Sequence, residues 1–110
     1  MIKDLVPLLE NRACIEHLIA VCLMDLGDYR RPPALLEEAT KIKEEIHDKK
    51  HPSYLESQHE LARAYMGNCD YHKAVKLLKE LVKIKETMLD ETHPSRLASQ
   101  HLLAKRLREH

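Results

Sequence analysis

The sequence predicts an all-α domain, a solenoid of antiparallel helix hairpins about two and a half units long. The first observation is a repeat: the segment 51–62, HPSYLESQHELA, returns 42 residues later at 93–104 as HPSRLASQHLLA. The second is that apolar residues recur at helical steps of three and four, without the two-residue alternation of strands. The third is a composition rich in helix formers with only two glycines. A fixed period of this length indicates stacked supersecondary units.

The first unit is predicted to contain helices at 7–25 and 32–47. Pro7 can occupy the first turn of the first helix, where a backbone N–H has no partner to lose. Pro32 and Pro33 stand where the second unit has residues of its early second helix. The helix at 32–47 is therefore expected to begin at these prolines.

The second unit is predicted to begin with a helix at 52–67. Pro52 suits a first turn, and Ser53 with Glu56 matches the spacing of a capping box. This helix is expected to end near Gly67-Asn68, where a left-handed turn costs little.

The second helix of this unit is predicted at 70–89, and a last helix is predicted at 94–108. Asp70 is a favourable capping residue for the helix at 70–89. The lysines of this helix lie mostly off its apolar stripe and are interpreted as a solvated face; they are Lys73, Lys76, Lys79, Lys83 and Lys85.

The bulk properties limit the function. We expect one domain over 1–110, with units at about 9–50, 51–92 and 93–110. Equal numbers of basic and acidic residues, 18 each, disfavour a nucleic-acid binder. No apolar run reaches the length of a membrane span. No metal, phosphate or nucleophile motif stands out, so neither enzymatic activity nor a cofactor is expected.

The cysteines favour a reduced, cytoplasmic setting. The chain has three, an odd number without metal-type spacing. Cys14, Cys22 and Cys69 are expected to be small buried apolar residues rather than nucleophiles.

A pattern that resembles the tetratricopeptide repeat is formed by Leu61, Ala62, Tyr65, Tyr71, Ala74 and Leu78. The usual period of that repeat is about 34 residues. The longer unit here opens with His-Pro and carries Lys-Ile-Lys-Glu late in its second helix, which resembles the kinesin-light-chain-like class. The resemblance is strongest to the arrays that follow nucleotide-binding oligomerisation domains in fungal immune-receptor-like proteins. It implies a stack of helix hairpins and a role in protein–protein interaction.

The resemblance also implies a binding groove. In that family the first helix of each unit lines a concave surface that holds a peptide or a helix of a partner protein. The residues that match these positions here are Cys14, His17, Val21, Met24, Glu56, His59, Arg63, Met66, Ala98, His101, Lys105 and Arg108. The seven expected to contact a partner are His17, Glu56, His59, Arg63, Met66, His101 and Lys105.

The residues of this expected groove allow two interpretations. His17, His59 and His101 recur at one place in three successive units, so they could hydrogen-bond a partner's backbone or pack between neighbouring first helices. Arg63 and Lys105 could bind a partner's carboxylates or balance nearby glutamates. A shared metal is not expected, because neighbouring helices lie about 9–10 Å apart and zinc ligands about 2 Å from the metal.

Self-association, within a larger signalling or immune-receptor-like protein, is the alternative function. About three units are usually needed to bury a continuous core, and the third unit here has no second helix. Some of Leu97, Leu102, Leu103 and Leu107 would then face water, and Leu8, Leu9 and Ile15 pose the same problem in the first helix. The sequence therefore predicts a homodimer through the terminal helices.

Overall fold

The protein consists of five α-helices within residues 2–108, the part of the chain that the computed structural model describes, with side chains described from Leu5 onward. In chain order the helices are α1 Ile2–Asp25, α2 Pro32–Ile46, α3 Pro52–Gly67, α4 Tyr71–Met88 and α5 Pro94–Arg108. Residues 1, 109 and 110 of the predicted domain lie outside the described residues. Residues 2–108 contain no strand. The predicted all-α class with five helices is confirmed.

The helix boundaries match the prediction to within one residue, except at the start of α1. This helix begins at Ile2, and Pro7 lies inside it. Because Pro7 has no N–H for the carbonyl of Lys3, the helix continues with one backbone hydrogen bond missing. The start of α2 at Pro32 is as expected, because the ring fixes φ in a helical range where no N–H is needed.

Each helix packs against the next one along the chain. Helices α1 and α2 form one hairpin, α3 and α4 form a second, and α5 packs on α4. Helix α1 also contacts α3, so the first helices of successive units lie side by side. The molecule is elongated, with extents of 48 × 32 × 20 Å. Contacts limited to neighbouring units are typical of a repeat solenoid.

Alanines lie in the core at the positions where the helices approach one another most closely. Ala20, Ala64 and Ala74 are fully buried in one apolar cluster, which joins the first hairpin to the second. A second cluster holds Ala62 and Leu78 between α3 and α4. Alanine lets the helix backbones come close, so the larger side chains can interlock around them at normal packing density.

The turns of the two hairpins share one geometry. In each, the residue after the left-handed position donates its N–H to the carbonyl five residues earlier, at 2.8 Å. The left-handed residue is Gly27 in the first turn (φ 88°) and Cys69 in the second (φ 66°). The predicted left-handed turn at Gly67-Asn68 is therefore wrong. Gly67 has a different role, because the ring of Tyr29 occupies the space that a Cβ would fill.

Helix α3 is capped by a histidine ring rather than by the predicted capping box. The backbone N–H of Ser53 donates to Nδ1 of His51 at 3.1 Å. His93 makes the same contact at the start of α5, also at 3.1 Å. The capping box of Ser53 and Glu56 is wrong because the preceding histidine already accepts from this turn.

Two further expectations about side chains are wrong. Asp70 precedes α4 without a side-chain capping bond; its carboxylate instead accepts from the side-chain amide of Asn68 at 3.1 Å. Cys14, Cys22 and Cys69 are exposed rather than buried, because they lie on the outer surfaces of α1 and of the second hairpin turn.

Candidate functional site

A hydrogen bond between equivalent residues joins each first helix to the next. Nδ1 of His17 on α1 lies 2.7 Å from Oγ of Ser57 on α3. Nδ1 of His59 on α3 lies 2.9 Å from Oγ of Ser99 on α5. Both the histidines and the serines recur 42 residues apart. His17 and His59 therefore have equivalent surroundings along one surface of the stack.

A buried lysine from the second helix of each unit completes these contacts. Nζ of Lys43 lies 2.7 Å from Oγ of Ser57 and 3.4 Å from the carbonyl oxygen of Ser53. In the next unit, Nζ of Lys85 lies 2.8 Å from Oγ of Ser99 and 3.2 Å from the equivalent carbonyl. We call the two sets Lys–Ser–His chains: Lys43–Ser57–His17 and Lys85–Ser99–His59.

The position of Lys85 contradicts its interpretation as part of a solvated face. This side chain is only 2% exposed. A lysine can bury its aliphatic stem along apolar surface provided its ammonium group finds acceptors, and the hydroxyl and carbonyl at the start of α5 supply them. The signal was present in the sequence, because Lys43 and Lys85 hold the same place in the repeat.

The hydrogen-bonding roles in each chain follow from the donors available. A lysine ammonium can only donate, so the serine oxygen accepts from it. The buried serine hydroxyl must then donate its own hydrogen bond to Nδ1 of the histidine. Nδ1 is consequently an acceptor, and the hydrogen-bond network assigns the ring proton of His17 and of His59 to Nε2. Neither Nε2 atom has a hydrogen-bond partner among the described residues.

The charge state of the histidines agrees with these roles. Burial, followed by the nearby Lys85 and Arg63, lowers the pKa of His59 to about 4. Burial, followed by Lys43, also lowers the pKa of His17. Both rings are therefore neutral at physiological pH and present one N–H donor each.

Lysine, serine and histidine together also occur in nucleophilic enzymes. Here the burial of the serine hydroxyl argues against that role. Ser57 and Ser99 are both 0% exposed, so no substrate carbonyl can approach Oγ. Within residues 2–108 there is also no group of three or more His, Cys, Asp or Glu side chains placed to hold a metal ion. The Lys–Ser–His chains are inter-unit packing contacts that also orient the two histidine rings.

A cleft of about 470 Å³ lies between α3, α5 and the end of α4, within the range of ligand sites. Two of the seven residues expected to contact a partner, Glu56 and His59, line it. Pro52, Leu55 and Glu60 complete its α3 wall. The sequence analysis missed the part of the opposite wall that the end of α4 and the following loop supply, because it considered only first helices. That wall is formed by Lys85, Met88, Leu89, His93, Ser95 and Ala98.

The structure places the other expected groove residues in different surroundings. Arg63 donates to Oε2 of Glu60 at 2.6 Å, which satisfies the charge-balance interpretation. Met66 packs against both apolar clusters and contributes mainly to the core. His101 and Lys105 are exposed on α5 and have no hydrogen-bond or ion-pair partner among the described residues.

The residues expected to mediate self-association also differ from one another. Leu97 and Leu107 are exposed on α5, whereas Leu102 is half-buried against the cluster between α3 and α4. Leu102 therefore has packing partners within the same chain.

Comparisons with known proteins agree with the fold described above. A tetratricopeptide repeat family model matches residues 11–87. Two solved structures are similar: the nearly identical tetratricopeptide-like repeats of a Podospora anserina protein assigned as a kinesin light chain, and a point variant of them. The first is 40% identical with a TM-score of 0.82, and the second 41% identical with a TM-score of 0.81. Each alignment covers 91% of this chain and 47% of the other, so the chain spans about half the length of these relatives. No curated protein sequence matches. None of the helices described is long and apolar enough to cross a membrane.

Proposed function

Because this chain belongs to the tetratricopeptide repeat family, we propose that it binds an extended peptide segment of a partner protein along α1, α3 and α5. The observation that carries the proposal is the duplicated Lys–Ser–His chain. It orients two neutral histidines with the same tautomer, each with an N–H that no described residue uses. Donors held in advance at fixed spacing reduce the ordering entropy lost on binding.

The spacing of these donors favours one backbone conformation of the partner. Neighbouring packed helices lie about 9–10 Å apart, so His17 and His59 present their N–H groups at about that interval. A polyproline II segment has three residues per turn and rises about 3.1 Å per residue, so every third carbonyl points the same way about 9 Å along. An α-helical segment uses its carbonyls internally and fits these donors less well.

The cleft supplies the rest of the recognition. Its walls include the apolar side chains of Leu55, Met88 and Leu89, which suit one apolar side chain of the partner. Glu56, on the rim, is exposed and forms no hydrogen bond or ion pair with a described residue. We therefore expect a partner segment with a polyproline-type backbone, an apolar side chain for the cleft and a polar or basic residue beside Glu56.

The test is to select binding peptides from a random library displayed on phage and to measure their affinity for the chain and its variants. His17→Ala and His59→Ala should each weaken binding up to about tenfold, the value of one hydrogen bond, and the double variant should weaken it further. His72→Ala is the matched control, because His72 is an exposed histidine on α4 away from the cleft.

Circular dichroism at the assay temperature must show that each variant is folded. The proposal is wrong if the selected peptides bind the double variant as tightly as the parent chain. It is also wrong if selection yields only amphipathic helices.

A further inference from the structure

Helix α1 carries an apolar surface that faces away from the rest of the protein. We call it the α1 stripe and define it as Leu5, Leu8, Ile15, Leu18 and Ile19, of which Leu8 is 64% and Ile15 is 56% exposed. The opposite face of the same helix packs on α2 through Ala13, Ala20 and Met24. Helix α1 therefore already has a buried apolar face, and the α1 stripe is a second apolar surface on the same helix. Isolated exposed leucines are common, but a contiguous row indicates an interface.

The spacing within the α1 stripe is that of a helix–helix seam. Leu8, Ile15 and the exposed Cys22 follow one another at seven-residue steps, and Leu18 lies three residues after Ile15. Leu5 and Ile19 form a parallel row fourteen residues apart. A seven-residue repeat of apolar positions places one continuous row against a partner helix.

One charged side chain of α1, that of Arg12, lies within the α1 stripe, midway between Leu5 and Ile19. Arg12 pairs with Glu38 on α2 and with Glu16 at 3.5 Å. Glu10 lies 3.0 Å from Nε2 of His47, just after α2. These contacts draw both charges toward α2, so the uncharged Asn11, between Leu8 and Ile15, is the polar residue that remains in the row.

The α1 stripe does not suit the kind of contact that joins the units of this protein. At both internal junctions a buried serine, Ser57 or Ser99, accepts from a buried lysine. The equivalent position of α1, 42 residues before Ser57, is Ile15. A unit stacked here with the same chemistry would bury an ammonium group against an isoleucine, which leaves a buried charge without its acceptor. An apolar, self-complementary surface suits the stripe better.

The chain as a whole exposes more surface than a compact monomer of its mass does. The chain exposes 7207 Å², whereas a monomer of 12.8 kDa is expected to expose about 6,300 Å². This excess of about 900 Å² belongs to the whole elongated stack. The α1 stripe holds five of the ten exposed large apolar side chains among the described residues, so the largest share of exposed apolar side chains lies there. We propose that the α1 stripe binds the α1 stripe of a second copy of this chain, around a two-fold axis that passes close to Ile15.

The first test compares the oligomeric state of the 110-residue chain and its variants by light scattering coupled to gel filtration, from 5 to 200 µM as an approximate working range. We expect a dimer whose dissociation constant rises at least about a hundredfold in Ile15→Asp, because the two-fold axis brings two carboxylates together in an apolar contact. Ile15→Ser, which restores the residue type of the other units, should also weaken it. Leu107→Glu, on the exposed face of α5, should leave the dimer unchanged.

The second test is covalent. In a chain with Cys14, Cys22 and Cys69 replaced by serine, Ile15→Cys should form an intermolecular disulfide under mild oxidation, since residues on the axis lie within disulfide reach of their copies. Leu107→Cys in the same background should not. A monomer at every concentration overturns the proposal, and so does a dimer that Leu107→Glu dissociates and Ile15→Asp does not. A preceding unit or a different protein as the natural occupant would appear as a monomer in the first test.

Discussion

Removal of the Ser99 hydroxyl tests whether a buried ammonium group depends on it. In Ser99→Ala, Lys85 Nζ loses an acceptor at 2.8 Å and Nδ1 of His59 loses a donor at 2.9 Å. Only the carbonyl of Ser95, at 3.2 Å, then remains for the ammonium. All three groups are buried or half-buried, so water cannot freely replace the hydroxyl.

The expected cost follows from these two bonds. A hydrogen bond to a charged group contributes about 1.5–3 kcal/mol, and a neutral one about 1 kcal/mol. We expect Ser99→Ala to lower the free energy of unfolding by about 2.5–4 kcal/mol, which for a domain of this size lowers Tm by roughly 10 °C or more. The measurement is urea denaturation followed by circular dichroism at 222 nm, supported by thermal melts.

The matched control is Ser95→Ala, because Ser95 contributes only its backbone to these contacts. A second substitution isolates the charge: adding Lys85→Met to Ser99→Ala removes the ammonium that lost its acceptor. The double variant should be at least about 1 kcal/mol more stable than the sum of the single effects predicts. A cost below about 0.5 kcal/mol for Ser99→Ala, equal to that of Ser95→Ala, would refute the reasoning.

Three other substitutions test the site and the turns. Burial holds the pKa of His59 at about 4 in the folded protein, against about 6.5 in the unfolded chain. Between these pH values the unfolded chain binds a proton that the folded protein does not. The contribution of His59 to the free energy of unfolding is therefore fully present above about pH 6.5 and should fall by up to about 3 kcal/mol toward pH 4. His59→Gln should remove this component from the pH dependence of urea unfolding. Cys69→Gly should stabilise by about 1 kcal/mol, because φ at Cys69 is positive and the equivalent Gly27 has no Cβ to strain; a loss of stability would contradict this. Gly67→Ala should destabilise by roughly 1–2 kcal/mol, because its Cβ would overlap the Tyr29 ring; unchanged thermal melts would show that the ring moves away freely.

The sequence alone determined the architecture of this protein. The 42-residue period and the spacing of apolar residues defined all five helices, since both depend on information within one helix or one unit. The equivalence of His17 and His59 also followed from the repeat, because identical positions in stacked units meet similar neighbours. The helix ends were predicted less well, as at Pro7, where the cost of one missing hydrogen bond is smaller than the gain from an added turn.

Only the tertiary structure decided what each side chain contacts across helices. A helical wheel assigns Lys85 to a face, but it does not show that a hydroxyl fourteen residues later lies 2.8 Å from Nζ. For the same reason Met66 became a core residue, and the cleft gained a wall from the end of α4 that no first-helix pattern contains. The periodicity of a sequence specifies which direction a side chain takes from its own helix. Its hydrogen-bond partner and its exposure depend on the neighbouring helix, whose distance and angle are set by the packing of the whole stack.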